Sequence, residues 1–467
     1  MNALIPSRSA QPIARVTGRT IAAFVILAIG MASTASAAIP VGERNDLIAL
    51  YFDTQGGGWT DNTGWCSGSC PLIGPPLFNT SGTECSWYGV TCSGNHVVAI
   101  NLPSNNLVGT LPVFTSLSSL ATFDASSNHL TGNALVPSVS MQLATVDLSH
   151  NRLDGVIPPI AALANLQHYN VYDNALTGSI PQLAGLTQLM DFSVDTNKLS
   201  GTPYAYNNQQ NSIPQLTSLI SLRSFDVSNN PLLTGSIPSL VGLTNLQAFN
   251  AYSDNLTGSI PCLSTGGSCS SGLANLVAFD VHNNPQLTGL IPSLTGLTNL
   301  TYFYASSDNL TGSIPPLAGL TNLVDFSVDD NPKLTGPIPP LSGVGLNNLT
   351  YFTASSDNLT GTIPPLTGLT KLHDFEVDSN NLTGSVPLLT GLTNLTYFFV
   401  GRNKLTGPVP VAPSSLSNAS LCPNPLDTTP QPTIDPAWNL ATGATPWWAT
   451  PFVGNQCDDL FNDNFGG

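Results

Sequence analysis

The side chains with chemistry to offer are acidic and aromatic, and they recur at matching places. Asp325, Asp329 and Asp330 are followed by Asp374, Glu376 and Asp378, with Tyr302, Tyr304, Tyr351, Tyr397 and Phe399 between and around them. Carboxylates orient a ligand, and aromatic rings give it contact area at low entropic cost. Two carboxylates about 5–9 Å apart can also act as acid and base on a glycosidic bond. Asp329 and Asp378 approach that condition, but such chemistry needs a cleft that desolvates one acid. No HExxH, GxSxG or P-loop pattern occurs. His96, His129, His150, His168, His282 and His373 are scattered without metal-ligand spacing. The sequence therefore predicts binding without catalysis: no catalytic residue, no metal and no cofactor.

What must position these residues is a repeat. An Asn or Asp recurs at 105, 128, 151, 174, 197, 230, 254, 284, 308, 331, 357, 380 and 403, and the commonest spacing is 23. That period lies inside the ~20–29 residues of leucine-rich repeats, whose signature is LxxLxLxxNxL. One copy runs from Leu320 through Leu323, Phe326 and Val328 to Asn331. Phe326 and Val328 alternate with polar residues, which predicts a short strand with one buried face. The Asn331 amide both donates and accepts, so stacked copies form a ladder that satisfies the backbone where the chain turns. Leu334 and Ile338 point inward, and Gly336 permits a bend. No turn buries its apolar side chains alone, so stability is a sum of neighbour interfaces. Asp254, Asp308 and Asp357 break the Asn pattern and alternate with Asn230, Asn284 and Asn331, each of which precedes a proline. An ionised Asp only accepts. Either these turns lose a bond or Asn255, Asn309 and Asn358 supply the donor; Asp308→Asn is expected to be neutral or stabilising.

The tail of each copy, Leu-Thr-Gly-Ser-Ile-Pro, resembles the plant-type class of extracellular leucine-rich repeats found in receptor-kinase ectodomains and polygalacturonase-inhibiting proteins, over about residues 44–412. Ahead of the repeats, Cys85, Trp87, Gly89, Val90 and Cys92 match the CxWxGVxC cap of that class. Leu47, Leu50 and Tyr51, then Gly57, Gly58 and Trp59, resemble its cap helix and loop. The resemblance implies an α/β repeat solenoid: a curved right-handed coil with a parallel sheet on the concave side, short 3-10 or irregular segments on the convex side, and disulfide caps. It also implies recognition on the concave face. No transmembrane segment or kinase follows the repeats, which departs from the receptors, and a bacterial secreted member fits equally well.

Composition narrows the partners. The 467 residues hold 11 Lys and Arg against 27 Asp and Glu, a net charge of −16. Such a field repels phosphate backbones and anionic lipid, which excludes nucleic acid. Arg8, Arg15 and Arg19 precede an apolar run at 21–31 and an Ala35-Ser-Ala37 site, the plan of a secretory signal peptide. Its removal leaves no membrane segment. All eight cysteines follow it: Cys66, Cys70, Cys85, Cys92, Cys262, Cys269, Cys422 and Cys457. An even count in an exported chain implies disulfides. Clustering favours Cys85–Cys92, Cys262–Cys269 and Cys422–Cys457, which leaves Cys66–Cys70.

The expected organisation is a signal peptide (1–37), an N-terminal disulfide cap (38–95), about thirteen repeats (96–412) and a C-terminal cap and tail (413–467). Trp438, Trp447, Trp448 and Phe452 are candidates to cover the far end, and two lengthened turns carry insertions near Tyr204 and Tyr206 and between Cys262 and Cys269. The expected function is secreted, non-catalytic recognition of a basic or neutral protein, peptide or glycan by a monomer, through the acidic and aromatic residues above. The alternative is adhesion to a cell wall, ice or crystal surface through the recurrent threonines, such as Thr288, Thr311, Thr335 and Thr383.

Overall fold

The structure is a computed structural model that describes residues 38–137, 140–201, 212–264 and 272–449. The expected signal peptide, the Tyr204 and Tyr206 insertion, Cys269, Cys457 and Phe452 lie outside these residues. The chain divides into two compact units at residue 240. Each is a parallel β-solenoid, and together they supply about thirteen turns, as the repeat count requires.

The N-terminal unit opens with a helix, Val41–Asp53. Its buried acids serve the backbone of the first turns. Glu43 accepts from the Val97 amide at 2.8 Å and pairs with His96 at 2.6 Å. Asp46 accepts from the amides of Thr115 and Ser116 at 3.0 and 2.7 Å. Arg44 pairs with Glu84 and lies over the Trp87 ring. Trp59, Trp65, Trp87 and Tyr51 pack as one buried cluster. The disulfides Cys66–Cys70 and Cys85–Cys92 are formed as expected. Cys262 and Cys422 are also disulfide-bonded. After an antiparallel pair, Val90–Ser93 with His96–Asn101, the strands Thr122–Asp124, Thr145–Asp147, His168–Asn170, Asp191–Ser193 and Ser224–Asp226 follow in parallel.

In the C-terminal unit eight strands run parallel and in register: Ala248–Asn250, Ala278–Asp280, Tyr302–Tyr304, Asp325–Ser327, Tyr351–Thr353, Asp374–Glu376, Tyr397–Phe399 and Asn418–Ser420. The middle residue of each of the first seven is a buried phenylalanine. The seven rings form one column with centroids 5.3–5.8 Å apart. Strands in a sheet lie only ~4.8 Å apart, so the turns of this unit splay on the core side of the sheet. Trp438, fully buried in the helix Asp435–Thr442, ends the column 6.2 Å from Phe398 and donates to the Pro410 carbonyl at 2.8 Å.

The asparagine ladder explains the stacking. Asn331 donates to the carbonyls of Ala305 and Val328 at 2.8 Å and accepts from the Leu310 amide at 3.0 Å. One amide thus joins its own turn to the one before. Gly336 sits at φ 79°, where a side chain is strained.

Asp308 and Asp357 follow the first of the two expected alternatives: they lack the donor bonds that an Asn side chain makes at this position. After Asn284-Pro285 the chain is one residue longer, and the Leu287 amide turns back to the Asn284 carbonyl at 2.8 Å. The Asn284 amide is then taken by Asp308 at 2.7 Å, and in the same way Asn331 gives its amide to Asp357 at 2.7 Å. The second oxygen of each Asp is buried without a partner, so neither Asn309 nor Asn358 supplies a donor there. Burial pushes both carboxyls up to about 9, against the pull of those amides. The two acids are therefore protonated at neutral pH. The expectation of ionised acceptors fails here because residue spacing carries no information on burial.

Candidate functional site

A three-residue strand turns its middle side chain into the core and its two outer side chains to the open face. In-register pairing then lines the outer side chains into rows. The first row of the C-terminal unit reads Tyr302, Asp325, Tyr351, Asp374, Tyr397. The second reads Tyr304, Ser327, Thr353, Glu376, Phe399. Aromatic and acidic residues therefore alternate strand by strand along the first row.

The rows are not uniformly exposed. Tyr302, Asp325, Tyr351, Glu376, Tyr397 and Phe399 are half-buried, whereas Tyr304 and Asp374 are each only 4% exposed. Neighbouring strands are close enough for flanking side chains to cover one another. Tyr304 leans across and donates to Asp325 at 2.7 Å. Burial raises the Asp325 carboxyl to about 7, although the Tyr304 hydroxyl holds it down in part and Asp329, Asp374 and Asp280 add to the rise. The Tyr304 phenol is raised too, first by burial and then by Asp325.

Asp329 and Asp378 lie just beyond the strands. Asp329 accepts from the Ser355 amide at 2.8 Å and from the hydroxyls of Ser327 and Thr353. Its carboxyl is raised by burial against those bonds. Asp378 accepts from the hydroxyls of Ser355 and Ser379 at 2.7 and 3.0 Å. Asp330 is apart from this set, exposed at φ 56° in the turn after its strand.

One residue of the face escaped the alternation rule. His373 immediately precedes its strand, with its ring 5.9 Å from Tyr351 and 5.6 Å from Tyr397, and its Nδ1 is bonded to Asp374. Tyr351, His373, Tyr397 and Phe399 make a continuous aromatic strip. The equivalent positions in the two preceding turns are Thr350 and Val324, and the one signal for His373 is an aromatic residue where the neighbouring turns place Thr or Val.

The threonine row has an internal use. Thr288, Thr335 and Thr383 donate to the carbonyls of Gly258, Gly312 and Gly361 of the preceding turn at 2.9, 3.1 and 3.1 Å. A dent of about 390 Å³ is lined by Leu341, Ser342, Leu346, Thr367 and neighbours, with no titratable side chain. Among the described residues no cluster of three or more His, Cys, Asp or Glu is placed to hold a metal. Also among them, no helix is long and apolar enough to cross a membrane.

The Leucine Rich Repeat family profile matches residues 142–162 and 221–243. The chain has the leucine-rich-repeat fold. No curated protein matches it in sequence. Among solved structures, this leucine-rich-repeat chain is similar to PEPR1 determined with AtPEP1, at TM-score 0.69 and 25% identity over 83% of this chain and 52% of that one. It is similar to the TDR receptor, at TM-score 0.53 and 26% identity over 73% and 66%. A plant peptide hormone receptor, RGFR1 in complex with RGF2, matches at TM-score 0.50 and 28% identity over 73% and 65%. The resemblance to plant-type receptor ectodomains therefore holds at the level of fold. The chain spans about half to two thirds of the length of these structures.

Proposed function

We propose that the protein is an exported, non-catalytic recognition protein that takes a protein, peptide or glycan ligand on the open face of its strand sheet. The signal peptide, the caps and the repeat boundaries expected from the sequence are part of this reading. The observation that carries it is the row in which Tyr302, Tyr351 and Tyr397 alternate with Asp325 and Asp374 on one sheet. Rings supply contact and carboxylates supply orientation. Two of the similar structures are PEPR1-AtPEP1 and the plant peptide hormone receptor RGFR1 in complex with RGF2, which favours a polypeptide ligand. An open sheet without an enclosing cleft argues against acid–base catalysis. The threonine row needs no surface-adhesion role, since its hydroxyls bond to the preceding turn.

The test is a peptide and glycan array probed with the purified chain and two variants. Tyr351→Ser with Tyr397→Ser removes rings from the open face, while Thr335→Ser and Thr383→Ser alter the threonine row of the separate small sheets. The first pair is expected to abolish captured signal, and the second to leave it intact. Signal that survives the loss of both tyrosines places the site elsewhere.

A further inference from the structure

We propose that the ligand of this face is a cationic, proline-rich polypeptide in the polyproline II conformation, lying across the strands of the C-terminal unit. The inference rests on the reading of this face as the binding surface and adds the ligand's conformation and charge.

The first argument is spacing. Tyr302, Tyr351 and Tyr397 occupy the same register position on every second strand. Strands ~4.8 Å apart put these rings ~9.6 Å from one another. A polyproline II helix has three residues per turn at ~3.1 Å each, a repeat of ~9.3 Å. Such a ligand meets successive tyrosines with every third residue and slips by only a few tenths of an ångström per turn. A fully extended chain repeats on one face every ~6.7 Å and falls out of phase at the second ring. An α-helix, with a pitch of ~5.4 Å, does the same.

The second argument is surface chemistry. A polyproline II backbone has no internal hydrogen bonds, so its carbonyls are available to donors such as tyrosine hydroxyls, and its rings pack on aromatic side chains. The strip of Tyr351, His373, Tyr397 and Phe399 is a surface of that kind. Between Tyr302 and Tyr351 the row position is taken by the half-buried carboxylate of Asp325, which accepts from the Tyr304 hydroxyl at 2.7 Å. The partly exposed carboxyl of Asp325 suits an arginine or lysine side chain, whose flat or aliphatic part lies against the flanking tyrosine rings while its charge meets the acid.

The third argument is charge. The face carries the half-buried acids Asp325 and Glu376 on its strands, whereas Asp280 and Asp374 are buried against His282 and His373, and the outward strand positions of this unit hold no Lys or Arg among the described residues. With 27 acidic residues against 11 basic ones in the whole chain, a cationic ligand is drawn toward this face.

The experiment uses the full chain and fluorescence anisotropy with labelled Pro-Pro-Arg repeat peptides of three, six and nine residues. Gly-Ser-Arg peptides of equal charge and neutral β-linked oligosaccharides are the comparison probes. Affinity is expected to climb with each added triplet, and the nine-residue proline peptide should bind about tenfold or more tighter than its Gly-Ser counterpart, given an aromatic contact at each turn. Tyr351→Ala should lower it by a similar factor while thermal melting stays unchanged. Equal binding of the two peptide series overturns the inference in favour of charge alone. Binding of the oligosaccharide but not the peptides overturns it in favour of a glycan; if Tyr351→Ala abolishes that binding, the face remains the site. Peptide binding that ignores Tyr351→Ala overturns both the inference and the face. If no probe binds, the inference falls, and the broader reading is judged by the array.

Discussion

Asn331 joins two turns with one amide, and its loss should be felt at once. Asn331→Ala removes the acceptor of the Leu310 amide and the donor to the carbonyls of Ala305 and Val328, all of them buried. Leaving such groups unpaired costs about 2–4 kcal/mol in sum. A lower urea midpoint is expected, followed by circular dichroism. Asp308 and Asp357 predict a pH dependence. Their folded carboxyls lie near 9, above the ordinary carboxylate value of 3.8. A folded pKa that is raised gives a contribution fully present below about pH 4 and lost as pH climbs toward 9. The melting temperature should therefore fall from pH 4 to pH 9 at fixed ionic strength. Asp308→Asn with Asp357→Asn should flatten that fall and raise stability at pH 8, because an amide keeps the acceptor and never ionises. A double variant with an unchanged slope would move the effect to Asp124, Asp325 or Asp329, whose carboxyls are also raised.

At the level of elements, a stacked coil needs a covered end. Trp438 covers the phenylalanine column and satisfies the Pro410 carbonyl. Trp438→Ala should cost about 3–5 kcal/mol, the usual loss for a large buried aromatic side chain, and should raise amide exchange first in the strands Tyr397–Phe399 and Asn418–Ser420. The sequence disclosed the strands, the Phe column and the Asn ladder, because a 23-residue word repeated this often leaves one way to pair its inward residues. It also disclosed the strand-by-strand alternation of Tyr and Asp along one row. It did not disclose depth. Tyr304 and Asp374 share the outward position of Tyr302 and Asp325 and yet are buried, since cover comes from the neighbouring turn and not from the residue's own alternation. Nor did it disclose the rerouted amide after Asn284-Pro285. One added residue changes which N–H reaches the ladder, and spacing alone does not say which group takes it.

Over the whole molecule, 27 acidic residues against 11 basic ones set the long-range field. Association with any cationic ligand should be quickened by that field and should weaken as salt shortens its reach. Raising sodium chloride from 50 to about 500 mM should lower the on-rate for a basic peptide about tenfold while changing the off-rate less, as surface plasmon resonance would record. The bond from the Asn284 amide to Asp308, repeated from Asn331 to Asp357, carries a different consequence. It ties each proline-bearing turn to the one that follows, so the smallest piece that gene duplication can add or delete without orphaning a partner is two coils. The period from Asp308 to Asp357, 49 residues, is one such module. Natural length variants of this chain should differ by whole modules of that size, and a variant shortened by a single coil should leave one carboxyl with no amide to receive.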